Sequence, residues 1–140
     1  MNKSENKNRL KTIIIFAIIY FFIGIITADI SNPLTSSGTQ VAWRLTAFAV
    51  SAVVFAVHIR LESIRLLHSP QMSAINTSSA VALGTFVIAV AANINAMLNG
   101  SSSKNWLALA LLIWPIVTGV LSFLAAYIAA GLITWIRSQH

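Results

Sequence analysis

The sequence predicts an all-α integral membrane protein, a bundle of four transmembrane helices, and three observations carry that reading. Hydrophobic residues make up 57% of the 140 and charged residues only 9%, against roughly 45–50% and about 25% in soluble domains. The apolar residues are gathered into long blocks separated by short polar stretches. Lys and Arg stand at the ends of those blocks and are biased to one side of the implied membrane.

Composition also excludes several function classes. Four spans of about 20 residues use most of the chain, so residues 1–140 form one domain with no room for a soluble one. Cysteine is absent, which removes disulfides, thiolate metal sites and cysteine catalysis. The net charge of +6 comes from residues scattered at block ends. Contact with anionic lipid headgroups explains that pattern better than nucleic acid does.

Residues 1–11, MNKSENKNRLK, carry four Lys/Arg and little that is apolar, and are expected to form a disordered cytoplasmic tail. The first helix is expected over about 12–28, an uncharged run of about 26 Å, just enough to cross. This run is long for a signal peptide and no convincing cleavage site follows it, so an uncleaved anchor is the reading adopted. DISNPLTSSGTQ, residues 29–40, is rich in turn formers and reads as a loop. A second helix is expected over 41–67, about 40 Å long, with its last two turns in water or headgroups and Ser69-Pro70 ending it. Ser78 and Ser79 offer caps for a third helix over 78–98, closed by Asn99-Gly100. The fourth, over 105–137, is too long for one perpendicular span and too short for two. Pro115 inside it predicts a kink near that residue, a tilt, or both.

Orientation follows from charge. With four spans, one side receives seven Lys/Arg and the other only Arg44 and Lys104, so both termini are expected in the cytoplasm. Asn99-Gly100-Ser101 is formally a glycosylation sequon, meaningful only in a eukaryotic secretory pathway. The setting expected is a bacterial inner (plasma) membrane. On the fourth helix Ser122, Ala126 and Ala130 form a small-xxx-small series, expected to pack within the chain in preference to forming a dimer seam.

Candidate chemistry is sparse. Arg44, Ser51 and His58 recur every seven residues along the second helix, Arg65 follows at the same spacing, and Glu62 lies beside them, so all five share a stripe. The stripe reads as a proton-linked or ligand-binding site at the cytoplasmic mouth, or as a solvated helix end whose charges answer headgroups. It is expected to face the bundle within the membrane and to emerge into water at Glu62 and Arg65, paired along the helix surface. Arg44 and Ser51 are expected to contact the first or third helix. A second cluster, Asp29, Arg44, Asn93 and Asn95, shares one depth at the outer face, as a polar pocket or as an interhelical clasp. His68 lies about 80° around the helix from His58, which argues against a shared metal or haem. No catalytic, cofactor or metal residues are assigned, and His58-x-Arg60-x-Glu62 matches no catalytic signature.

The function expected is that of a small accessory or scaffold subunit without enzymatic activity, binding membrane lipids and a protein partner or a second copy of itself. The alternative is a small transporter or channel with a polar path along the second helix. A cavity touching Ser51, His58 and Glu62 together would favour transport.

Overall fold

The computed structural model describes residues 3–30, 37–65, 69–98 and 104–139, with side-chain surroundings given for residues 6–26, 38–39, 41–64, 69–98 and 109–139. Four α-helices follow one another: α1 Lys3–Ile30, α2 Ser37–Arg60, α3 Pro70–Leu98 and α4 Lys104–Arg137. A π-helical turn, Leu61–Arg65, extends α2. Each of the four carries a segment long and apolar enough to cross a membrane. The surface is apolar to match, with Phe48, Leu112, Leu121 and Ile128 among many large side chains more than half exposed.

The central element is α3, which packs most extensively on α4 and next on α1, whereas α2 touches α3 and α4 sparingly. Small residues make the close approaches possible. A Cβ on Gly84 of α3 would lie 2.8 Å from Tyr20 Cβ and 3.0 Å from the Ala17 carbonyl oxygen, so the α1 and α3 backbones meet there because glycine has none. At Gly24 the space a side chain would take is filled by the Ile88 side chain of α3. Between α3 and α4, Gly119 abuts Ala82, and the hydroxyls of Thr85 and Thr118 share a 2.9 Å hydrogen bond. Ala126 and Ala130 are fully buried against Ile59 of α2 and Ala74 of α3. Those two alanines are therefore spent on contacts within the chain.

Several boundaries differ from the sequence expectation, each for an identifiable reason. Helix α1 begins at Lys3, not near residue 12. Within this helical segment Arg9 is tied to α3 by a 2.6 Å hydrogen bond from its Nε to Asn76 Oδ1. At its other end α1 includes Asp29 and Ile30, and α2 begins at Ser37 instead of Val41.

The largest change concerns Ser69-Pro70. It starts α3, so the expected linker at 71–77 is α-helical and Ser78 and Ser79 lie inside the helix. Proline suits the first helical position, where its missing N–H costs nothing. Ser69 caps that helix, its Oγ accepting from the Met72 N–H at 3.3 Å and its carbonyl from the Ser73 N–H at 2.9 Å. The second helix is not α-helical to residue 67, since it becomes a π turn after Arg60. The loops at 31–36 and 99–103, which include the expected stop at Asn99-Gly100, lie outside the described residues. Helix α4 is one continuous element with Pro115 inside it.

Gly84→Val is expected to destabilise the fold by about 1–3 kcal/mol, because a side chain there meets backbone that cannot swing away. Gly38→Ala, where nothing lies within 4 Å of the added carbon, is expected to be neutral within about 0.5 kcal/mol. Thermal unfolding of both variants in mild detergent checks the pair.

Candidate functional site

Two features stand out, one polar and one apolar. The polar one lies where α1 begins, α2 ends and α3 begins. Starting α3 at Pro70 adds two turns carrying Ser73, Asn76 and Thr77, all fully or almost fully shielded from solvent. These three recur at helical spacing on the face that meets α1 and the π turn. Asn76 Nδ2 donates to Glu62 Oε2 at 2.8 Å, and Asn76 Oδ1 accepts from Arg9 Nε at 2.6 Å. One amide thus joins a carboxyl on the π turn to a guanidinium on α1. Ser63 Oγ adds a 3.3 Å hydrogen bond to Ser73 Oγ.

His58 belongs to the same cluster. Its imidazole is stacked on the Phe16 ring with centroids 3.7 Å apart and planes 1° from parallel, which fixes its orientation. Its Nε2 stands 3.8 Å from Glu62 Oε1, an ion-pair distance too long for a hydrogen bond. Neither ring nitrogen has a hydrogen-bond partner among the described residues, and the same holds for the Thr77 and Tyr20 hydroxyls. Both His58 and Glu62 have 0% exposure. Burying such groups is costly unless they are paired and bonded, which is the part Asn76 plays for Glu62.

The apolar feature is a chamber of about 500 Å³ walled by all four helices, with Tyr20 from α1, Ser51 and Phe55 from α2, Thr85 from α3, and Ser122 from α4. Its volume lies in the range of ligand pockets, roughly 300–1,000 Å³. Its hydroxyls are mostly engaged within the bundle: Thr85 with Thr118, and Ser122 with the Gly119 carbonyl at 3.0 Å. Phe48 and Leu121 also line it, yet they are 75% and 62% exposed, so the chamber opens sideways between α2 and α4. A smaller cavity of about 280 Å³ shares the Thr85 and Ile88 wall and continues between α3 and α4 past Asn93 and Trp114.

Burial along the expected stripe rises from Arg44 to Glu62. Arg44 is exposed, and no hydrogen bond or ion pair joins it to another described residue. Ser51 sits half-buried on the chamber wall. His58 and Glu62, the latter expected to emerge into water, are the most deeply buried of the described members, covered by the early start of α3 and the helical N-terminus of α1. Glu62 bonds across to Asn76, a partner on α3 that the stripe alone did not indicate. The Arg65 side chain lies outside the described residues.

Of the outer cluster, Asp29's side chain also lies outside the described residues, and Arg44 and Asn95 are exposed. Asn93 is half-buried and donates to the Ala89 carbonyl at 2.9 Å. Sequence reasoning missed Arg9, Phe16, Ser73 and Asn76. The available signal was Ser69-Pro70 as a helix start, after which Ser73, Asn76, Ala80 and Gly84 fall on one helical face. Set against family models, curated proteins and solved structures, the chain matches none of them.

Asn76→Leu is expected to cost about 3 kcal/mol or more, since it removes the amide bonded to both a buried carboxyl and a half-buried guanidinium. Arg44→Gln, at an exposed position, is expected to cost less than about 0.5 kcal/mol. Denaturation of both variants in one detergent checks the order. Equal losses would mean that Asn76 does not bridge the cluster.

Proposed function

We propose that the chain is a four-span integral membrane protein with both termini in the cytoplasm, acting without catalysis as a small accessory or scaffold subunit that binds lipid and protein partners. In support, the exposed faces of all four helices carry large apolar side chains, a surface that would associate or aggregate in water and is at home in lipid. The seven-to-two bias of Lys/Arg supports the orientation.

The observation that carries the lipid-binding role is the chamber. It is apolar, opens sideways and has neither His58 nor Glu62 on its wall. That arrangement provides a berth for an apolar group. The cluster below it ties α1, α2 and α3 together through interhelical bonds, as buried polar groups do in membrane bundles.

A second reading, a small transporter or channel, draws on one observation: His58 and Glu62 are wholly buried on a membrane-length helix. Ionisable groups in that position commonly serve proton or ion pathways. A bend in α4 is also part of the proposal. Pro115 leaves the Leu111 carbonyl without its helical donor, and 34 residues, about 51 Å, exceed a hydrocarbon core of about 30 Å.

Reporter fusions after Ser36 and Gly100 are expected to report the outer side, and fusions after His68 and His140 the cytoplasm; an external C-terminus would remove the four-span arrangement. In sealed liposomes the purified protein is expected to leave an imposed pH gradient standing. A gradient that collapses with the native chain and survives with Glu62→Gln would establish the transporter reading and displace the accessory one.

A further inference from the structure

We infer that the chamber and the Arg44 position above it form a binding site for one phospholipid, with an acyl chain in the chamber and the phosphate held by Arg44. The inference rests on the lipid-binding reading and gives it a ligand class and a place.

The chamber selects the chain. Its mouth lies between Phe48 and Leu121, on helix faces that carry exposed apolar side chains throughout, so whatever enters comes from the hydrocarbon phase and not from water. Its wall is mainly apolar, and Thr85, Thr118 and Ser122 already use their hydroxyls within the bundle, while the hydroxyl of Tyr20 has no partner among the described residues. A flexible hydrocarbon chain matches a space lined in that way.

Arg44 selects the headgroup. It precedes Ala47 and Phe48, both on the chamber wall, by three and four residues, which places it one turn further along the same face of α2. It stands about 10 Å by helical rise from Ser51. It is also only three residues inside the Val41 start of the membrane-length segment, the depth of headgroups. Its side chain is exposed, and a guanidinium binds phosphate oxygens in a bidentate, charge-assisted fashion. Chain below and phosphate above, at this separation, is the layout of a phospholipid lying along α2.

The test uses the full chain in vesicles of phosphatidylcholine containing a small fraction of phosphatidylglycerol with a photoactivatable diazirine on one acyl chain. After illumination and proteolysis, label is expected to concentrate on Phe48, Phe55 and Leu121 and to fall when unlabelled phosphatidylglycerol is added. Label spread equally over Val53 and Ile128, which are 65% and 63% exposed away from the chamber, would overturn the site. Arg44→Gln is expected to lower the chamber labelling about fivefold, the loss of one basic contact to an anionic headgroup, and Arg44→Lys to keep most of it. Undiminished labelling in Arg44→Gln would show that an apolar molecule without a phosphate serves as well, and would overturn the phospholipid assignment. Ser122→Phe, which fills the chamber, is expected to abolish the labelling; should that variant fail to fold, the wild-type map and the Arg44 pair still decide. Loss of the site while the pH gradient holds removes this inference alone, whereas a collapsing gradient removes the accessory reading whatever the labelling shows.

Discussion

Asn76 holds one end of the bundle together by using both sides of its amide at once. Its oxygen accepts from Arg9 on α1 and its nitrogen donates to Glu62 on the π turn. A carboxyl with 0% exposure is tolerable only with such a donor beside it. Much else at that end follows from this contact. Arg9 reaches α3 only if the first turns of α1 are helical, and Phe16, two turns further on, then lies over the His58 ring. Ile59, the next residue, packs against Ala126 and Ala130 of α4, so all four helices are closed on one another.

Above that level the bundle loosens in one place. Glycines let α3 approach α1 and α4 closely, but α2 is held mainly at its end, by the polar cluster, and meets α3 and α4 sparingly elsewhere. The space left over is the chamber. In a bilayer, lipid would offer no hydrophobic drive to collapse it, since a bilayer tail is as apolar as the wall. A polar lock at one end and an open apolar berth above it are therefore two consequences of the same asymmetry in how α2 is attached.

Much of this was legible in the sequence, and what was not has a physical explanation. The existence and type of all four helices followed from block length, because hydropathy over some 20 residues is a strong signal. Ser51 facing inward followed from the stripe's register. The start of α3 did not, because proline disfavours helix in the residue before it and also favours the first position of a new helix, and Ser69-Pro70 satisfies both rules. Missing that start hid Ser73 and Asn76, and without them Glu62 read as an exposed helix end. Arg9 read as part of a solvated tail for a related reason: its partner lies 67 residues away, beyond any local pattern.

The central claim is that Arg9 and Glu62 are coupled through Asn76, and a double-mutant cycle measures that coupling directly. Arg9→Gln, Glu62→Gln and the double variant would be unfolded reversibly in mild detergent beside the native chain. A coupling of about 1–2 kcal/mol between the two positions is predicted, in the range found for residues sharing one hydrogen-bond network. Strictly additive losses would contradict the account, since each side chain would then be held by its own surroundings and Asn76 would link nothing.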